Sequence, residues 1–196
     1  QKEQSVGILL GREHMLFPRT YGLLSSEERT LPKNTAAVSS LCQRYPGKVN
    51  VLLAPAASVI YPENLPAHAP VLDENTYLDQ LSAAVEAAGG RFVDVRSTLE
   101  DHKGEYIYYR TDHHWTGLGA YYAYAEFCKA AGLTANDLSA YRTLEMPGFL
   151  GTFYNDTGKS AVLGDTPDTV TGYYPLAGDM VTMTVYNESG AKVVEN

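Results

Sequence analysis

The chain is poor in most of the residues that announce a function. Its 196 residues contain one tryptophan and two cysteines, too few thiols for a disulfide framework or a cysteine-based zinc ribbon. Cations are in the minority, with 15 Lys and Arg against 23 Asp and Glu, a formal charge of −8. No two basic residues are adjacent. Nucleic acid and anionic bilayers are bound through clustered positive charge, so neither is the expected partner. Long hydrophobic runs are missing too. The longest charge-free apolar stretch, residues 49–62, is interrupted by Pro55 and is too short to cross a bilayer. There is no internal repeat and no low-complexity tract.

What remains is an acidic globular chain. An apolar fraction of 44% excludes wholesale disorder, and a chain of this length hides about 70% of its unfolded surface in one domain. Tyrosine is abundant, 15 residues against 5 phenylalanines, and its flat ring with a polar tip suits wet, sugar-facing surfaces as well as cores. Gln1 stands where a methionine would begin a full reading frame, so an upstream segment is expected, either a signal peptide removed on export or a stretch cut off artificially. Cys42 and Cys128 fall on apolar faces of predicted helices. Buried free thiols are expected, with pairing between them left open.

The order of elements predicts an α/β fold. Residues 6–17 read as a β-hairpin turning at Gly11-Arg12-Glu13-His14. A helix is expected over 34–44, and residues 49–54 (VNVLLA) form an apolar run of the kind seen in strands covered on both faces. An amphipathic helix over 74–88 ends at Gly89-Gly90. A strand at 92–95, a short helix from Ser97, a strand at 106–109 and a helix over 116–131 follow. This alternation predicts a three-layer α/β/α sandwich with a mostly parallel, flavodoxin-like sheet in a single domain. Residues 1–140 would be the α/β core. Residues 141–196 lose the pattern and read as loops and short strands, so the sheet is expected to be incomplete at the C-terminal side.

The reactive groups concentrate at Thr111-Asp112-His113-His114-Trp115-Thr116, between a strand and a helix, which is where ligands bind in open α/β sheets. In an extended segment residues two apart share a face, so Asp112 would hold one ring nitrogen of His114 and leave the other as a base. That is the base-and-orienter half of a nucleophilic triad. His113 would point the other way, Thr116 would cap the helix, and Trp115 would precede the cap. The same residue types also allow a plainer arrangement, with Asp112 capping the helix and the histidines packed or solvated. A metal site is not expected, because adjacent ligands on opposite faces of a strand do not converge.

The run YYRTDHHWTGLGAY at 108–121 resembles the bacterial DHHW family, which is related to the alginate O-acetylation proteins and more distantly to the SGNH/GDSL esterases. The resemblance extends over GREHMLF at 11–17, VLLAPAASVIYPENLP at 51–66, residues 92–99 and GFLGTFY at 148–154. It implies an SGNH-type sandwich, exported or held in the bacterial envelope, that handles acyl groups on polysaccharides or cell-wall glycans without a cofactor. In the alginate-acetylating relatives a D-x-H-W motif supplies the catalytic Asp and His, which correspond to Asp112 and His114. The relatives also carry a nucleophilic serine in a downstream G-D-S-like turn. The nearest imitation here, Gly164-Asp165-Thr166, is followed by Pro167 and has no strand leading into it. The chain is therefore expected to lack the serine-bearing part and to be inactive as it stands.

Two function classes compete. The first is an O-acyl esterase or acetyltransferase on an exported glycan, with Asp112 and His114 catalytic and Trp115, Tyr109 and His113 contacting substrate. The second is a non-catalytic glycan-binding or scaffold domain of the envelope, in which tyrosines near the motif stack on sugars.

Overall fold

The computed structural model describes residues 7–20, 24–159, 161–175 and 184–195. Strand β1 (Ile8–Leu10) and strand β2 (Leu16–Pro18) form the expected antiparallel hairpin, pairing Ile8 with Pro18 and Leu10 with Leu16. Helix α1 (Leu24–Arg44) is longer than the pattern suggested. Pro32, which has no N–H to donate, lies inside it, so the apparent start at residue 34 is a proline effect and not a boundary.

Strand β3 (Asn50–Leu52) and strand β4 (Arg91–Val93) pair in parallel, Val51 opposite Phe92. Between them come helix α2 (Ala57–Ile60) and helix α3 (Glu74–Ala87), the latter capped by the Asp73 carboxylate on the N–H of Thr76. Alternation along the pair sends side chains to two cores. Leu52 and Val93 face a cluster of Phe17, Ile60, Val95, Leu99, Ile107 and Ala123. Val51 and Phe92 face Cys42, Leu81, Val85 and Ala88. The pair is thus covered on both faces, as the run VNVLLA predicts. Both Cys42 and Cys128 are buried free thiols.

The sandwich itself goes no further, and the expected mostly parallel sheet is overturned. All sheets among the described residues have two strands, and β3–β4 is the parallel one; the other three are antiparallel. The predicted strand at 106–109 contributes a single antiparallel bridge, Tyr108 to Trp115. The cause is visible in the hydrogen bonds. Ile107 C=O accepts from Thr116 N–H, Tyr109 N–H donates to His114 C=O, and Arg110 C=O accepts from Leu16 N–H. The N–H groups of Arg110 and Thr111 go to the Asp168 carboxylate. With many of its donors and acceptors committed to these partners, the segment builds no ladder beside β4.

After helix α4 (Arg96–Asp101), helix α5 (Gly117–Ala131) starts at the expected Thr116 cap, whose Oγ1 accepts from Gly119 N–H. Its buried face is centred on Gly119, Ala123 and Cys128; Tyr121 and Tyr122 flank it half-buried. The region beyond residue 140 is more ordered than its composition suggests. Strand β5 (Tyr141–Phe149) pairs antiparallel with strand β6 (Asp168–Pro175) in the longest ladder described. Helix α6 (Thr152–Asp156) and helix α7 (Ala161–Gly164) lie between them. Strand β7 (Thr184–Tyr186) and strand β8 (Lys192–Glu195) make a last hairpin.

Candidate active site

The loop 110–116 is anchored from below. Asp168, at the start of β6 and fully buried, accepts from Thr111 N–H at 2.8 Å and Thr111 Oγ1 at 2.6 Å. It also accepts from the Arg110 Nε–H at 3.1 Å and from the Tyr106 hydroxyl. Burial alone would raise the Asp168 carboxyl; the bonds from Thr111, Tyr106 and Arg110 outweigh it and hold the carboxyl below its ordinary range. Thr111 in turn accepts from Gly151 N–H at 3.0 Å. The stretch 165–167, which mimics part of a nucleophile motif, forms the connection that leads into Asp168.

On this base Asp112 and His114 meet. Asp112 Oδ1 accepts from His114 Nδ1–H at 2.6 Å and from the His114 backbone N–H at 3.1 Å. Its other oxygen accepts from Thr152 N–H at 2.9 Å and Thr152 Oγ1–H at 3.0 Å. The carboxylate is 5% exposed and the His114 imidazole 65%. Burial pushes the Asp112 carboxyl upward, but the donors from Thr152 and His114 prevail and bring it down to about 2. Asp112 is therefore ionised at neutral pH, an acceptor that favours the His114 tautomer with its proton on Nδ1 and Nε2 as the acceptor.

The predicted contact is present, although not through the predicted geometry. The segment is a turn and not an extended strand; the carboxylate closes back on the N–H two residues on, a local side-chain-to-backbone bond typical of Asp. The expectation that His113 points away is overturned for the same reason. Its ring lies 3.8 Å from that of His114, and its Nδ1 is 3.5 Å from Asp112 Oδ1 and 3.2 Å from Thr152 Oγ1. Asp112, His113 and His114 thus bring one ligand atom each to within 4.8 Å of one another.

The remaining predicted contacts sit differently. Tyr109 is buried, edge-on to Phe149 at 5.1 Å and to Tyr106 at 6.2 Å. Trp115 is half-buried and packs on the main core. Three residues escaped the sequence reading. Thr152 lies in the GFLGTFY segment that carries part of the resemblance, but nothing in its type assigns it to Asp112. Gly151 is required by close approach, since a Cβ there would meet Asp112 Cβ at 2.4 Å and the Thr111 carbonyl at 2.5 Å. Asp168 is 56 positions from Asp112, in a stretch with no periodicity.

Comparison with known proteins finds relatives in sequence and in fold. Over 130 residues the chain is 31% identical to the "Probable alginate O-acetylase AlgJ" of Pseudomonas fluorescens, which covers 63% of this chain and 33% of that protein. A DHHW family protein from Eubacterium siraeum superposes with a TM-score of 0.62 at 32% identity, covering 76% of this chain and 49% of that one. The O-acetyltransferase domain of Pseudomonas putida AlgJ shares the fold, with a TM-score of 0.65 at 23% identity over 87% of this chain and 66% of that domain. The chain spans a third of the length of the curated relative and about half of the Eubacterium siraeum chain. The sequence model of the DHHW proteins matches residues 82–193, a span that holds Asp112, His114, Thr152 and Asp168 alike, and the chain belongs to the DHHW family.

Proposed function

We propose that this chain furnishes the acid–base half of a serine-type O-acetyl esterase or acetyltransferase acting on an exported polysaccharide or cell-wall glycan. The observation that carries the reading is the Asp112 Oδ1 to His114 Nδ1 contact of 2.6 Å beneath an imidazole that is 65% exposed. A serine hydroxyl attacking an ester carbonyl must lose its proton. His114 Nε2 takes it, Asp112 stabilises the imidazolium, and the proton returns to the leaving oxygen. The acetyl group is the one named for the Pseudomonas relatives.

Sugar contact is assigned to the exposed His113 and to a nearby cleft. Tyr106 and Arg110, both bonded to Asp168, also line a cavity of about 390 Å³ with Tyr61, Tyr108, Glu63 and Lys103. Aromatic walls with a few charged groups suit a carbohydrate. Action at the envelope or outside the cell follows from an exported glycan as substrate. Among the described residues no helix is long and apolar enough to cross a membrane.

Among the described residues no serine hydrogen-bonds His114, and this reading takes the nucleophile to lie outside them. The test is hydrolysis of 4-nitrophenyl acetate by the intact protein and by its variants. Asp112→Asn should lower turnover by about 10⁴-fold and His114→Ala by at least as much, and the 196-residue chain alone should be inert. Unchanged turnover in His114→Ala overturns the reading, and an intact protein without turnover leaves the glycan-binding scaffold in its place.

A further inference from the structure

A D-x-H motif needs its Asp and its second His; it makes no use of a second imidazole laid against the first. The turn at 112–114 nevertheless presents three donors from three consecutive residues on one side of the loop. Their placement is held by buried structure. Thr152 occupies Asp112 Oδ2 twice and leaves Oδ1 turned to the histidines, while Asp168 pins the backbone just before. Both imidazoles are more than half exposed, so an ion can enter.

From this geometry we infer that Asp112, His113 and His114 form a coordination site for a borderline transition-metal ion such as Zn2+, and that filling it switches off the base. The second half rests on the acyl-transfer reading above. Two imidazoles and one carboxylate are a donor set for zinc and not for Mg2+ or Ca2+, which prefer all-oxygen shells. Tetrahedral zinc bonds of about 2.0–2.1 Å place neighbouring donors about 3.3 Å apart. The Oδ1 to His113 Nδ1 spacing of 3.5 Å nearly meets that, and the 2.6 Å hydrogen bond to His114 opens by under 1 Å when the metal replaces its proton. Three protein ligands leave a position for water. If the metal takes His114 Nδ1, the proton there moves to Nε2, which then has no lone pair to accept from a serine. If it takes Nε2, the base is blocked directly.

The experiment is calorimetric titration of ZnCl2 into the 196-residue chain in a non-chelating buffer, with MgCl2 as control and the imidazole proton resonances followed in parallel. One Zn2+ per chain is expected, shifting the His113 and His114 signals, with no response to Mg2+. His113→Ala should weaken binding by at least tenfold, since even an outer-shell partner of a metal ligand is worth about that much. Its melting temperature reports whether it folds, and His113→Asn serves if it does not. No heat at millimolar Zn2+, equal binding by a folded His113 variant, or shifts confined to His14, His68 or His102 would overturn the site. Calorimetry involves no turnover, so its failure leaves the acyl-transfer reading untouched. In the intact protein, Zn2+ should suppress His114-dependent hydrolysis and a chelator should restore it. Full turnover at saturating Zn2+ overturns the switch alone.

Discussion

Asp112 is buried and accepts from both His114 and Thr152, and its titration should be visible in stability. Its folded value of about 2 lies below the ordinary 3.8, so the unfolded chain binds the proton more readily. The stabilisation is complete above about pH 4 and is lost as pH falls toward 2. Asp168, also held below the ordinary range, acts in the same direction. Thermal melts from pH 7 to 2 should show this acid limb, and Asp112→Asn should lower the plateau while flattening the limb. An unchanged limb would mean that the Thr152 and His114 donors do not hold the carboxylate.

Asp168 carries the loop, although it touches nothing that reacts. Asp168→Asn leaves the partly exposed Arg110 and the buried Thr111 N–H imperfectly matched, and the expected loss is about 1–3 kcal/mol in urea unfolding. Gly151→Ala forces a methyl against Asp112 and the Thr111 carbonyl. Overpacking of this kind costs about 1–3 kcal/mol, and because Asp112 is what must move, the His114 imidazole resonance should shift with it. A stable variant with an unshifted resonance would contradict the packing described here.

At the scale of elements, the loop is a hairpin-like excursion closed by the Tyr108–Trp115 bridge and handed directly to α5. Thr116 joins the two: its hydroxyl donates to the Tyr106 carbonyl at 2.7 Å and its oxygen caps Gly119. Thr116→Ala should lower stability by about 1–2 kcal/mol, whereas Thr116→Ser, which keeps both bonds, should be nearly neutral; denaturant midpoints compare them. The β5–β6 ladder has a positioning role. Its first pairs, Phe149 with Asp168 and Pro147 with Thr169, fix where Gly151, Thr152 and Asp168 enter the site. Along its length β5 is mostly solvent-exposed, so the usual alternation of buried and polar residues is absent. That is why a nine-residue strand was illegible while the three-residue β3, half-buried with Val51 and Leu52 packed on opposite cores, stood out.

For the whole molecule, the cores divide the chain into shells around one parallel pair. A cluster of Cys42, Leu81, Val85 and Ala88 lies on one side, with a larger one around Phe17, Ile60, Leu99 and Ile107 on the other. Both thiols are buried, so a water-soluble thiol reagent should label neither in the native chain, and labelling should follow unfolding as denaturant rises. Rapid native labelling would show that these cores open locally.

The sequence by itself determined the acidic character, the N-terminal hairpin, the βαβ unit around residues 50–93 and the Thr116 cap, and it left the Asp112–His114 pairing as one of two arrangements. Each of these depends on contacts within a few residues or on a local apolar period, which composition and spacing record directly. Tertiary structure alone decided that the sheet stops at two parallel strands, with backbone groups of Ile107, Tyr109, Arg110 and Thr111 bonded to Leu16, His114, Thr116 and Asp168. It also decided that His113 folds back onto its neighbour and that Thr152 and Asp168, 40 and 56 positions from Asp112, hold the loop from beneath. Such partners are chosen by which buried donors remain unpaired once the chain has folded, and no local pattern encodes that choice.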